Sequence, residues 1–136
     1  RMDRAASIAA QRHSRNICVT ASVNHVAFTK AIPLGSVVTV EAKVSRSFNS
    51  SMEIFIDVWI EDRSSGNKTK TMEAIYTFVA VNEAGKPVEV PHIIPQTELE
   101  QQRYDAALRR KQLSLVLAGK MKPSDATELK ALFVGE

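Results

Sequence analysis

Residues 51–62 alternate between apolar and polar side chains, which limits this segment to one kind of structure. Every second position is apolar, and these positions are Met52, Ile54, Ile56, Val58 and Ile60. In an extended strand, residues two apart point to the same side of the sheet. The sequence therefore predicts a long β-strand with one continuous apolar face.

The other face of this predicted strand is mixed, because Phe55 and Trp59 alternate with acidic residues. A sheet with aromatic residues on an uncovered face would present a large apolar area to water. We therefore expect Phe55 and Trp59 to be exposed in a monomer, and this expectation favours oligomerisation.

Three further segments show the same two-residue period, namely residues 17–28, 37–48 and 69–82. Four long strands with short turns predict a meander-like antiparallel sheet. In the first of these segments, we expect one face to carry Ile17, Val19, Ala21 and Val23. The apolar positions then change phase near Asn24 and His25, which indicates a β-bulge.

Two segments have helical signals. Residues 3–13 are rich in alanine, a strong helix former whose small side chain permits close packing on a sheet. Thr97 is followed three positions later by Glu100, the spacing of a capping box, and predicts a helix over 98–118. The chain is therefore of the α+β class.

The predicted elements divide the chain into a sheet-containing domain over residues 1–95 and a helical extension over 96–136. A short last helix is expected after Pro123 and Ser124. Its apolar side would carry Leu129, Leu132 and Phe133.

Composition excludes several classes of protein. The 136 residues are the size of one compact domain, and no zinc-ligand spacing, Walker loop or GxGxxG motif occurs among them. No apolar run is long enough to cross a bilayer, so we expect no membrane partner. Cys18 is the only cysteine, which excludes an internal disulfide and fits a reducing cytoplasm.

The net charge of +3 comes from basic residues concentrated near both ends of the chain. Such clusters can bind the phosphates of coenzyme A or of nucleic acid, and a solvated helix face is the alternative interpretation. Because no RNA-binding aromatic signature accompanies them, we do not expect a nucleic-acid partner.

Residues 69–91, TKTMEAIYTFVAVNEAGKPVEVP, carry the most specific pattern. This string resembles the last strand and exit loop of the hotdog-fold acyl-CoA thioesterases, and the resemblance extends over residues 2–91. It implies a hotdog fold, in which a long antiparallel sheet wraps around a central helix. It also implies an acyl-CoA hydrolase that needs no metal or cofactor, coenzyme A being part of the substrate, and that forms a homodimer or a trimer of dimers.

The chain departs from the family pattern at its start. Members of the family begin with another strand and a glycine-rich loop that opens the central helix, whereas here Asp3 follows Arg1 by two positions. We therefore expect that the natural protein has an N-terminal part that this sequence lacks. Backbone N–H groups in that part would be natural donors to an oxyanion.

The resemblance assigns two candidate catalytic residues. Asp3 stands where the related hydrolases carry the aspartate that acts on the thioester, as general base for water or as nucleophile. The alternative is an aspartate that merely stabilises the helix start. Asn24, at the expected bulge, could orient the water or hold the thioester carbonyl, or could simply fill the bulge.

Five residues are candidates for binding coenzyme A, whose phosphates suit basic and hydroxyl groups close to turns. They are Arg46, Ser50, Ser51, Lys68 and Lys70. Other functions remain open: a non-catalytic module that binds acyl-CoA, or a hotdog dehydratase. The dehydratase would pair an acidic residue with a histidine on the central helix, and residues 1–12 contain no histidine.

Overall fold

The structure, a computed structural model, describes residues 2–28 and 35–128, without the side chains of 25–28. It confirms the α+β class. In chain order the elements are α1 (Met2–Ser14), β1 (Ile17–Phe28), β2 (Val37–Ser47), β3 (Ser51–Glu61), β4 (Lys68–Val81) and α2 (Glu98–Leu117), followed by a 3-10 turn (Pro123–Asp125). Leu129, Leu132 and Phe133 of the expected last helix lie outside the described residues. By its internal contacts the chain divides into two compact units, Arg1–Ile93 and Ile94–Glu136.

The four described strands form one antiparallel sheet in the order β1-β4-β3-β2. Strands β2, β3 and β4 form the expected meander, but β1 pairs with β4 rather than with its neighbour in sequence. The expectation of a simple meander was therefore wrong for β1. Both β1 and β2 are edge strands among the described residues, and β4 and β3 lie between them.

The first unit has its core between α1 and one face of the sheet. Ala6 and Ala10 of the helix are completely buried, and their small side chains allow the helix axis to approach the strands. The sheet contributes Met52, Ile54, Ile56 and Val58 from β3 and Ala74, Tyr76, Phe78 and Ala80 from β4. The apolar face predicted for residues 51–62 is thus the face that packs in this core.

Helix α1 ends at a sharp reversal that leads into β1. Arg15 has a positive φ of 61°, and its N–H donates to the Gln11 carbonyl at 2.8 Å. This left-handed residue is the usual way to end a helix and turn the chain back. At the same end of the helix, His13 Nε2 donates to the Pro91 carbonyl at 2.7 Å, which ties the segment after β4 to α1.

The face of β3 that carries Phe55 and Trp59 is less exposed than expected. Phe55 is only 7% exposed, and Glu53 and Asp57 on the same face are also buried. Trp59 is half-buried, with Lys70 over its ring at 5.1 Å. The prediction that this face is open to water was wrong, because the central strand is buried on both faces over its first eight residues.

The large exposed apolar side chains of the first unit lie instead mainly on the two edge strands. Ile17, Val19 and Val23 are exposed on β1, and Val37 and Val38 on β2. An edge strand presents unpaired backbone groups as well as side chains, and is therefore a natural place for another chain to add.

The second unit begins with the predicted capping box. The Thr97 hydroxyl accepts a hydrogen bond from the Glu100 N–H at 3.1 Å, and the Glu100 carboxylate accepts one from the Thr97 N–H at 3.2 Å. Helix α2 follows as expected. Its buried Gln112 accepts a hydrogen bond from the Glu128 N–H at 3.0 Å, which ties the last described residues to the helix.

Candidate active site at the start of the first helix

Asp3 lies in the first turn of α1 and its side chain is exposed. Backbone N–H groups at the helix start, those of Asp3 and Arg4, lower the pKa of this carboxyl because they favour its ionised form. Asp3 is therefore a carboxylate at neutral pH and can accept a proton or attack a carbonyl.

Asp3 lies on the helix that packs on the core face of the sheet. Its neighbours on the helix, Met2 and Ala6, pack into the core cluster that contains Tyr76. Burial raises the pKa of the Tyr76 phenol, and the negative charge of Asp3 raises it further. The carboxylate and the phenol thus affect each other electrostatically, which places Asp3 beside the helix-facing side of the sheet.

Asn24 lies on the opposite face of the sheet from this carboxylate. It pairs with Ile75, whereas the preceding residue, Val23, pairs with Tyr76. Paired residues of antiparallel strands point to the same side, so Val23 faces α1 and Asn24 faces away from it. Within one chain, the structure does not bring Asn24 and Asp3 together.

We expected Ile17, Val19, Ala21 and Val23 to share one face of β1, and the register of the strand shows that they do not. The sheet pairing has two irregularities, one between Thr20 and Ser22 and one between His25 and Ala27. The second confirms the bulge expected near Asn24, and the first was missed. Because of the first bulge, Ile17 and Val19 do not share a face with Val23.

Thr20 is a polar residue that the sequence interpretation passed over. It pairs with Phe78, so it points to the α1 side of the sheet, and it is exposed. It therefore places a hydroxyl group on the same side of the sheet as Asp3. No sequence signal could have identified its face, because that face depends on the bulge at Ala21, which reverses the direction of the residues before it.

The five candidate coenzyme A residues fall into two groups at opposite ends of β3. Arg46, Ser50 and Ser51 lie at the β2–β3 turn, whereas Lys68 pairs with Glu61 at the other end of the strand. At about 3.3 Å per residue, these ends are roughly 30 Å apart. One phosphate group cannot contact both groups within a chain.

The side chains of the two groups differ in their surroundings. At the β2–β3 turn, the guanidinium of Arg46 lies 5.8 Å from the ring centroid of Phe48. The Ser50 carbonyl accepts from the Ala80 N–H at 2.9 Å, which fixes the turn against β4. Ser51 is buried at the start of β3, and its carbonyl accepts from the Phe48 N–H at 2.8 Å.

Lys70 is held between two carboxylates. Its ammonium lies 3.0 Å from Asp57 and 2.9 Å from Glu73. Burial opposes the charge, but the hydrogen bonds to Glu73 and Asp57 prevail and raise the pKa of Lys70. Its charge is therefore largely offset, whereas Lys68, at the start of β4, is exposed.

In the described part of the chain, no group of three or more histidine, cysteine or acidic side chains is arranged to hold a metal ion. None of the described helices combines the length and the apolar character needed to cross a membrane.

Comparison with known proteins agrees with this architecture. The family model described as Thioesterase superfamily matches residues 2–66. An acyl-CoA hydrolase from Bacillus cereus is 39% identical, with a TM-score of 0.79 over 87% of this chain and 73% of that one. An acyl-CoA hydrolase from Staphylococcus aureus, solved with butyryl coenzyme A and coenzyme A, is 32% identical, with a TM-score of 0.77 over 95% of this chain and 77% of that one.

Among curated proteins, acyl-coenzyme A thioesterase 11 of Mus musculus is 40% identical over 121 residues, which are 89% of this chain. The chain spans only 20% of the length of that mouse protein. The sheet, the helix beneath it and these similarities define an α+β protein of the hotdog type. The chain belongs to the hotdog-fold acyl-CoA thioesterases of the thioesterase superfamily.

Proposed function

We propose that the protein hydrolyses the thioester of acyl-CoA to a free fatty acid and coenzyme A. The observation that carries this proposal is the placement of Asp3, an ionised carboxylate at the start of the helix against the sheet of a thioesterase fold. The names of the relatives support the same reaction, and the S. aureus hydrolase was solved with butyryl coenzyme A.

In the proposed reaction Asp3 activates a water molecule or attacks the carbonyl itself. In the first case the carboxylate accepts a proton while the water oxygen bonds to the acyl carbon. The resulting oxyanion collapses, the carbon–sulfur bond breaks and the proton passes to the thiolate of coenzyme A. Stabilisation of the oxyanion by N–H or O–H donors is a large part of catalysis in such reactions.

The S. aureus hydrolase supports including Thr20 in this site. Solved variants of that enzyme replace an aspartate and a threonine by alanine, and these two residues are 17 positions apart. Asp3 and Thr20 have the same separation here, and Thr20 points to the side of the sheet that α1 covers. We include Thr20 as a polar group that orients substrate or water.

Asn24 remains a candidate catalytic residue, but it requires a second copy of the chain. Because it faces away from α1, it can serve the same reaction centre only if another copy of the chain presents it. An alanine variant that leaves hydrolysis unchanged would remove Asn24 from the site.

For coenzyme A, we favour the group at the β2–β3 turn. Arg46 and Ser50 offer a guanidinium and a hydroxyl group at one turn, a set suited to phosphate, and the buried Ser51 follows at the same turn. Lys68 and Lys70 remain candidates at the other end of the strand, with Lys70 the weaker because Asp57 and Glu73 offset its charge.

We propose a homodimer, assembled further into a trimer of dimers, with coenzyme A as part of the substrate and no other cofactor. The exposed apolar edge of β1, with Ile17 and Val19, supports edge-to-edge pairing of two chains. A solved acyl-CoA thioesterase 35% identical to this chain is hexameric. A cytoplasmic location is supported by a cytosolic relative in Rattus norvegicus.

The direct test is a panel of acyl-CoAs from acetyl to palmitoyl, with release of free thiol followed by a chromogenic disulfide. Saturable thiol release from at least one substrate is the expected result, and the optimum gives the acyl length. A folded natural protein that binds acyl-CoA in equilibrium dialysis but releases no thiol would instead be a non-catalytic acyl-CoA-binding module.

A further inference from the structure

The helix-facing side of the two central strands carries one polar group that its packing does not require. Seven of the eight buried core positions on β3 and β4 hold Met, Ile, Val, Ala or Phe, and the eighth holds Tyr76. A phenylalanine would fill the same space without placing a hydroxyl in an apolar surface. A polar group in such a place usually has a partner or a task.

The Tyr76 ring is held firmly, so its hydroxyl has a defined position. Only 5% of the residue is exposed, and its ring is stacked on that of Phe78 with centroids 6.2 Å apart and planes 12° apart. Its backbone pairs with Val23 on one side and Ile54 on the other. A group fixed on a central strand can orient a reactant more precisely than a group on a loop.

Asp3 is the charged residue at the start of the helix that packs on this part of the sheet, since its helix neighbours Met2 and Ala6 pack in the cluster that contains Tyr76. On a helix, Asp3 is aligned with Ser7, Ala10 and Ser14, at the edge of the buried face rather than on its solvent side. Among the described charges, that of Asp3 raises the pKa of Tyr76, which agrees with this placement. The first turn of α1 therefore carries an exposed carboxylate beside the cluster that holds the buried ring.

We propose that Tyr76 is a positioning residue for hydrolysis, and that its hydroxyl oxygen holds the attacking water against the carboxylate of Asp3. The inference rests on the proposed function. The water donates one hydrogen bond to the carboxylate and the other to the phenol oxygen, which leaves a lone pair directed at the acyl carbon. As the carbon–oxygen bond forms, the first of these protons passes to Asp3, and Tyr76 stays neutral throughout.

The test is Tyr76→Phe, which removes the hydroxyl and keeps the ring. A misplaced water slows the chemical step by about 10- to 100-fold, whereas acyl-CoA binding is untouched. We therefore expect kcat to fall by that factor with KM within about twofold of the wild type. Thermal stability should be unchanged or higher, because a phenyl ring suits an apolar surface.

Ser47→Ala is the matched control. It removes another hydroxyl from the α1 side of the sheet, one that is buried and has no hydrogen-bond partner in the described part of the chain. This variant should keep the wild-type kcat. A Tyr76→Phe enzyme with wild-type kcat, or one whose loss lies in KM alone, would overturn the positioning role.

These outcomes are separate from failure of the proposed function. If the wild-type protein releases no thiol from any acyl-CoA, the thioesterase proposal itself fails. If the wild-type protein is active, Asp3→Asn is inactive and Tyr76→Phe is fully active, only the role of Tyr76 fails.

Discussion

Replacing Ile56 by alanine should be among the most damaging single changes in the core. Ile56 is completely buried on the central strand, and its cross-strand partners on the same face are Ala42 and Ala74. Both neighbours are small, so they cannot extend into the space that the isoleucine side chain leaves. The site therefore has little capacity to collapse around a cavity.

The magnitude follows from the atoms removed. Three methylene-sized groups at ~0.8 kcal/mol each give a transfer loss of ~2.4 kcal/mol. The unfilled cavity adds to this, so the total should lie in the upper part of the range of about 2–5 kcal/mol for isoleucine-to-alanine changes. A loss of about 4 kcal/mol lowers the melting temperature of a domain of this size by roughly 10 °C or more.

Urea unfolding followed by the fluorescence of Trp59, the only tryptophan, measures the change. Protein concentration is held constant, because oligomerisation contributes to apparent stability. Leu117→Ala, at a side chain 78% exposed, is the control and should cost less than about 0.5 kcal/mol. A loss below 1 kcal/mol for Ile56→Ala would refute the reasoning that this space cannot be refilled.

Three further results are expected. Thr97→Ala removes the hydroxyl of the capping box and should destabilise α2 by about 1 kcal/mol, measured by loss of helical circular dichroism on heating; an unchanged melting curve would argue against the cap. Val19→Lys puts a charge on the exposed edge of β1 and should reduce the oligomer in sedimentation velocity, whereas Lys68→Ala should not; an intact oligomer would exclude this edge. Arg46→Ala should raise KM for acyl-CoA several-fold with kcat maintained, and equal KM values in Arg46→Ala and wild type would move the phosphate site elsewhere.

The strands were predictable because their apolar positions repeat every second residue and their turns are short. The helix cap was predictable because Thr97 and Glu100 have a spacing with a local physical cause. Each of these patterns involves residues only a few positions apart, so one sequence is enough to identify it.

The partners of β1 and the burial of Phe55 were not predictable in this way. The pairing of β1 with β4 joins residues far apart in sequence, and alternation within a strand does not say which strand lies beside it. Likewise, the period of 51–62 distinguishes two faces but does not show that both are covered. A fully buried central strand also tolerates polar residues when they are paired, as Asp57 is with Lys70.

The position of Asp3 at a helix start was predictable and the face of Thr20 was not, and the difference has a structural cause. Asp3 opens a helix that the resemblance identifies directly. The face of Thr20 depends on a one-residue bulge at Ala21, which reverses the direction of every side chain before it. No periodicity in ICVTASV marks that bulge, because valine and alanine fit either face.

Hydrolysis of butyryl coenzyme A by Asp3→Asn, compared with wild type and with Asp62→Asn, tests the role of Asp3 most directly. Asp62 is a suitable control because it is also an exposed aspartate, and an asparagine there can still accept the hydrogen bonds from Ser64. We expect kcat of Asp3→Asn to fall by at least about 100-fold while butyryl coenzyme A still binds, and Asp62→Asn to match wild type. Wild-type kcat in folded Asp3→Asn would contradict the claim that this carboxylate carries the chemistry.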